Sequence, residues 1–263
     1  MNESPLDELL DFARTTARMA GDLLKKRASR GFRVEHKGAV DLVTEVDRHS
    51  EQAIVEAIRS AYPNHSVLAE EGTIRAESSA LRWIVDPLDG TTNYSHGYPC
   101  YAVSLALERQ GRIDLGVVYD PLRDELFEAR RGGGAHLNGR PLSVSSTDRL
   151  TDSLLATGFP YDIRTSPENN LDHFARFALR AQGIRRDGSA ALDLCYLAAG
   201  RFDGFWEMKL SPWDVAAGAL LVAEAGGRLS DFAGGPFRID DRQVIASNGR
   251  IHEQMITILQ QTE

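Results

Sequence analysis

Asp86 and Asp89 stand three residues apart, with Pro87 and Leu88 between them and Gly90-Thr91-Thr92-Asn93 behind. Carboxylate oxygens at such a spacing are ligands for hard cations such as Mg²⁺. Backbone N–H groups at a chain turn or helix start bind phosphate. The segment feeding the pair, Leu81 to Val85, is largely apolar and ends β-branched, as a buried strand does. Pro87 fixes φ and removes a donor, which predicts a turn there. Gly90 permits close backbone approach to a ligand. Thr91, Thr92 and Asn93 offer hydroxyls and amides at a predicted helix start. The stretch therefore reads as a metal-assisted phosphate site. An Asp-x-x-Asp pair is neither an EF-hand loop nor a P-loop.

Other acids are delivered in similar ways. Ser66–Ala69 reads as a short strand that hands its C-terminal end to Glu70-Glu71-Gly72. In α/β folds that end is where ligands bind. Ser211-Pro212-Trp213-Asp214 carries helix-start signals in order: Ser as N-cap, Pro at the first position, Asp in the first turn. Asp47 opens a predicted helix over Glu45–Ala61. These acids are far apart in sequence, and each lies at a predicted strand end or helix start.

The elements around these residues mix helices and antiparallel strands. Residues 6–27 show helical spacing, closed by Lys25-Lys26-Arg27. Residues 28–40, with Gly31, Lys37 and Gly38, read as a mobile loop or weak hairpin. A meander of strands is predicted over Tyr101–Leu107, Ile113–Tyr119 and Glu125–Ala129, followed by strands at Pro141–Val144 and Leu154–Thr157. Gly132-Gly133-Gly134 has no helix after it and reads as a turn. The second half predicts helices at 169–179, from Gly188-Ser189-Ala190 to Ala199, from Ser211 to Ala225, and at 251–260, with strands at Phe202–Glu207 and 243–247. Asp193 reads as a structural residue of its helix, and Arg185 and Arg186 as helix-flanking salt-bridge partners. The expected class is α/β or α+β layers, in which helices cover two sheets.

The chain has 263 residues and a formal net charge of −8, which disfavours direct nucleic-acid binding. Cys100 and Cys195 belong to no metal-binding cluster and read as buried free thiols in a reduced compartment. The start of the chain has no signal-peptide pattern, and no apolar run is long enough for a bilayer. The expectation is a cytoplasmic protein with no membrane partner.

Several motifs together resemble the inositol monophosphatases. They are Glu70-Glu71, Trp83 to Asn93, and Trp213-Asp214-Val215-Ala216-Ala217-Gly218, in that order and spacing. The resemblance extends to Asp41–Thr44 with Asp47, Leu137-Asn138-Gly139, Gly158-Phe159-Pro160, Gly188-Ser189-Ala190-Ala191, Glu207 and Ala246-Ser247-Asn248. It implies one catalytic domain over 1–263, a layered αβαβα sandwich of the inositol monophosphatase and fructose-1,6-bisphosphatase type, with packed halves of about 1–140 and 141–263. It also implies a homodimer and a lithium-sensitive, Mg²⁺-dependent phosphomonoesterase.

The residue roles come from the same resemblance. Glu70, Asp86 and the Leu88 carbonyl would bind one Mg²⁺, and Asp86, Asp89 and Asp214 a second, or three ions in all with a weaker one on Glu70. Thr91, linked to Asp47, would help Glu70 activate water. Gly90 and Thr91 would hold phosphate. Gly188, Ser189, Ala190 and Glu207 would meet the alcohol part of a polyol or sugar phosphate. Alternatives within the superfamily are histidinol-phosphate or fructose-1,6-bisphosphate phosphatase, with Lys209, Arg185 or Arg186 serving a second phosphate. A further alternative is a transcription antitermination accessory protein.

Overall fold

The computed structural model describes residues 6–28, 34–36, 42–74 and 79–261. Lys37, Gly38 and Asp41 lie outside the described residues. Helix α1 (Leu6–Ala28) is followed by a two-stranded antiparallel hairpin of β1 (Val34–His36) and β2 (Leu42–Thr44), and then by α2 (Glu45–Ala61). The first large sheet takes β3 (Ser66–Ala69), β4 (Thr73–Ile74) and β5 (Leu81–Asp89). After the short helix α3 (Thr91–Ser95), it continues with β6 (Ala102–Arg109), β7 (Arg112–Asp120), β8 (Glu125–Arg130), β9 (Gly134–Leu137) and β10 (Arg140–Pro141). Its order is β10-β9-β8-β7-β6-β5-β3-β4, and within it β3 and β5 pair in parallel.

The second sheet holds β11 (Leu154–Thr157), β12 (Gly183–Arg185), β13 (Gly204–Met208), β14 (Arg228–Ser230) and β15 (Gln243–Ser247), in the order β12-β11-β13-β15-β14. Between these strands lie α4 (Leu171–Ala178), α5 (Ala190–Ala198), α6 (Pro212–Glu224) and, at the end, α7 (His252–Leu259).

Three apolar clusters stack these parts. Leu9, Ala13, Ala17, Ala20 and Leu24 recur at helical spacing on α1 and face Trp83, Val85, Val103, Leu105, Leu115 and Val117 of the first sheet. The residues between them, Ile84, Ala102, Ala106 and Val118, turn to the opposite face. There they meet α5 and α6, both rich in small residues. Phe177 of α4 and Met255 of α7 cover the outer side of the second sheet. The layers are therefore α, β, α, β, α, as the fold class predicted. Gly116 lets β7 lie directly on α6, because a Cβ there would stand 2.8 Å from the Ala217 Cα.

Three local expectations change. The predicted turn at Pro87 is a continuation of β5, which runs to Asp89. Asp86 pairs with Ser104 and Asp89 with Ala102, so the β5–β6 ladder is bulged between them. A bulge accommodates a proline that cannot donate to the ladder. The strand predicted over Pro141–Val144 stops at Pro141. Beyond it, the Leu142 amide donates to Ala135 O and the Val144 amide to Ala225 O. The helix predicted from residue 169 begins at Leu171, because Asn170 sits left-handed at φ 71° with its side chain buried. That amide donates to Gly158 O at 2.7 Å and accepts from the Trp206 indole at 2.8 Å.

Candidate active site

The bulge at the end of β5 brings Asp89 to a pocket of about 490 Å³, whose wall includes Asp89, Gly90, Thr91 and Thr92. Glu70, just past β3, joins them because β3 and β5 are parallel neighbours that end together. The opposite wall is built from the second half. Gly188, Ser189 and Ala190 open α5, Asp214 opens α6 and Glu207 leaves β13. Asp86, Asp47 and Leu88 lie behind the wall, each almost fully buried.

Hydrogen bonds fix most of these acids. Asp86 Oδ1 accepts from the Leu88 amide at 3.0 Å. Asp89 Oδ2 accepts from the Ser189 hydroxyl at 2.5 Å and the Ala191 amide at 2.9 Å, which joins the two halves of the chain. Asp214 Oδ2 accepts from the Ser211 amide at 2.7 Å, at the helix start predicted for that segment. The Thr91 hydroxyl lies 2.8 Å from Asp47 Oδ1 and 3.1 Å from Leu88 O. The Ser50 hydroxyl donates to Pro87 O at 3.0 Å and holds the bulge from behind.

The electrostatics follow from burial and like charge. Burial pushes Asp86 well above the usual carboxylate range, and Glu70, Asp89 and Asp214 push the same way. Burial raises Asp89 to about 6 against the pull of its Ser189, Ala191 and Ala190 donors. Asp214 is raised to about 8 by burial, against its Ser211 bond and with the help of Asp89 and Glu70. Glu207 is also raised to about 8, by burial first and Asp214 next, with Arg186 opposing. Among the described residues no three acids, histidines or thiols stand in closed metal-binding geometry. The donor set is nonetheless all oxygen, which suits a hard cation.

A profile of the inositol monophosphatase family matches residues 5–263. The chain belongs to the inositol monophosphatase family. It is 46% identical over 264 residues to the Nus factor SuhB of Pseudomonas aeruginosa, covering 97% of each chain. It is 47% identical over 226 residues to the inositol-1-monophosphatase of Mesorhizobium japonicum, covering 86% of this chain and 85% of that one. Among solved structures, the inositol monophosphatase of Anabaena (Nostoc) superposes with a TM-score of 0.90 at 43% identity, over 98% and 97% of the two chains. The extragenic suppressor protein suhB of Bartonella henselae gives 0.92 at 42%, over 97% and 100%.

Within this inositol monophosphatase fold, several pocket residues differ from their sequence reading. Arg186, read as a flanking salt-bridge residue, lines the pocket and acts on Glu207 and Asp193. Asp193, read as structural, also lines it. Its place four residues after Ser189 on one helix was the signal available in the sequence. Lys209 sits at φ 62°, a left-handed conformation rare outside glycine. Its ammonium lies 2.7 Å from Asp162 and 2.8 Å from the Ser166 hydroxyl, which ties the 158–169 loop across the pocket mouth. A second phosphate would have to compete with Asp162 for that charge. The bare backbone of Gly158 makes room for Glu207, since a Cβ there would fall 2.0 Å from Glu207 Oε1. Both cysteines are free and buried. Among the described residues no helix is long and apolar enough to cross a membrane.

Proposed function

We propose that this chain is a Mg²⁺-dependent phosphomonoesterase acting on inositol monophosphates and related polyol phosphates. The observation that carries the reading is the gathering of Glu70, Asp89 and Asp214 on one pocket, with Asp86 buried behind it and acted on by all three. Such a set is costly to ionise until cations balance it. Glu70, Asp86 and the Leu88 carbonyl would hold one Mg²⁺, and Asp86, Asp89 and Asp214 the other. Bound there, the ions supply an activated water and charge neutralisation at the leaving oxygen.

The chain's own residues do the rest. The Thr91 hydroxyl has one proton, and its shorter contact is to the Asp47 carboxylate at 2.8 Å. With that proton committed, the Thr91 oxygen is left to accept from the attacking water. Glu70, on the same pocket wall, takes the proton the water loses. Gly90 and Thr91 receive the phosphate, and Gly188, Ser189, Ala190 and Glu207 face the alcohol.

Turnover of inositol 1-phosphate with Mg²⁺ and with excess EDTA tests the reading. The expected result is activity that chelation abolishes and Mg²⁺ restores; full turnover in EDTA would sink it. Histidinol phosphate and fructose 1,6-bisphosphate in the same assay test the alternatives. A second reading is supported by relatives named Nus factor at 42–46% identity: an accessory role in transcription. It is compatible with the first. Pull-down of transcription components by the wild type and by Asp89→Asn separates the two, since an accessory role survives loss of catalysis.

A further inference from the structure

Asp193 lies one helical turn beyond Ser189, whose hydroxyl holds Asp89. Residues four apart share a helix face, so Asp193 follows Ser189 onto the pocket wall. Its side chain is 1% exposed, and each residue of α5 from Ala190 to Ala198 is buried. Asp193 Oδ1 has no hydrogen-bond partner among the described residues. A buried carboxyl without a donor destabilises a fold. A structure that retains one on a pocket wall calls for a donor from outside the chain.

The charges around it define that donor. Glu207, Asp187 and Asp89 act on Asp193 as like charges, and the exposed Arg186 acts on it as a cation. A second phosphate placed here would meet Glu207 and Asp193 together. A hydroxyl placed here would find two acceptors.

Building on the phosphatase reading, we propose that Asp193 is a specificity-determining residue. With Glu207 it accepts hydrogen bonds from hydroxyl groups of the alcohol part of the substrate. The pocket thereby selects monophosphates of polyhydroxylated alcohols over esters whose alcohol lacks hydroxyls.

Asp193→Leu tests this, because leucine is close in shape and its neighbours Leu192 and Leu194 are apolar and buried. The measurements are kcat and KM on inositol 1-phosphate and on p-nitrophenyl phosphate, together with Tm. Loss of a hydrogen bond to the buried carboxyl predicts a fall of about tenfold in kcat/KM on inositol 1-phosphate, carried mainly by KM. On p-nitrophenyl phosphate the change should stay within about threefold. Removing an unpartnered buried carboxyl should raise Tm by about 2–4 °C. A structural Asp193 gives the opposite sign. Asp193→Asn keeps an acceptor oxygen and should retain an intermediate preference, which preserves the test if the leucine variant misfolds. Equal losses on both esters, or a lowered Tm, would overturn the inference. Wild-type protein inert toward both esters would instead remove the parent reading, and this one with it.

Discussion

The wall of the pocket made by the eight-stranded sheet and the wall made by the second half treat buried carboxylates differently. On the first, Asp86 and Asp89 accept bonds from Leu88, Ser189 and Ala191, and Asp47 from Thr91. Those donors favour ionised oxygens, and they hold Asp89 down to about 6 despite deep burial. At Asp86, and at Glu207 and Asp193 on the second wall, burial and like charge dominate instead. Glu207 rises to about 8, and Asp193 goes well above the carboxylate range with an oxygen left unpartnered. Asp86 and Asp89, with Asp214 across the pocket, form the set that cations would balance. The second wall presents acceptors that a neutral, hydroxylated ligand can satisfy. Breaking each wall separately should therefore give different kinetic signatures.

The largest effect is expected from Asp89→Asn. The asparagine oxygen can still accept from Ser189 and Ala191, so the junction between the halves should survive. The other side of the group becomes a neutral NH₂ where a carboxylate stood. Loss of an electrostatic stabiliser predicts a fall in kcat of about 10²-fold or more on every ester tested. Raising Mg²⁺ should recover only part of it. Near-full kcat with unchanged Mg²⁺ dependence would show that the two walls do not differ as argued.

The same comparison explains what could be read from sequence. The first wall is written in contiguous residues: a strand, Asp86, Asp89 and Gly90, with Glu70 on the parallel neighbour. The starts of α5 and α6 were visible as well, from Gly188-Ser189 and from Ser211-Pro212 with Asp214 three residues on. Asp193 was hidden in an apolar run, Ala190 to Ala198, where helical context makes any single acid look structural. Lys209 and Gly158 were hidden for another reason. Their roles arise only when the 158–169 loop, pinned by Asn170 to Gly158 O, is laid against the end of β13. The short strands β12 and β14, of three residues each, carry too little pattern to reveal themselves.

A smaller and more selective effect is expected on the second wall from Gly158→Ala. The added methyl would lie within 2.4 Å of three Glu207 carboxyl atoms. Glu207 has a flexible side chain, so it should move and the backbone should hold. The expected outcome is a rise of about tenfold in KM for inositol 1-phosphate, in line with one lost hydrogen bond. Turnover of p-nitrophenyl phosphate should change little. A comparable loss of kcat on both esters would place Glu207 with the first wall.

The smallest effect is on stability, and its sign separates the acids of the pocket from the rest of the molecule. In metal-free protein Glu207 and Asp214 sit at about 8, against roughly 4 for carboxyls in an unfolded chain. Between those values the folded state binds more protons than the unfolded one, so stability falls as pH rises through the window. His252 acts in the opposite direction. It is buried between Ser247 and Ser230 and lowered to about 4. Its contribution therefore grows as pH rises from about 4 and is complete just above the ordinary histidine value of about 6.5. His173, also lowered by burial, has the same sign. Above about pH 6.5 the pocket acids change alone. Thermal unfolding in chelator should then show Tm falling by a few degrees from pH 6.5 to 8.5. Mg²⁺ binds the ionised set, so its stabilisation should be larger at pH 8.5 than at 6.5. Glu207→Gln should remove its own share of the slope and leave that of Asp214. A Tm in chelator that rises over this interval, or an equal Mg²⁺ effect at both pH values, would mean that the second wall carries no frustrated charge.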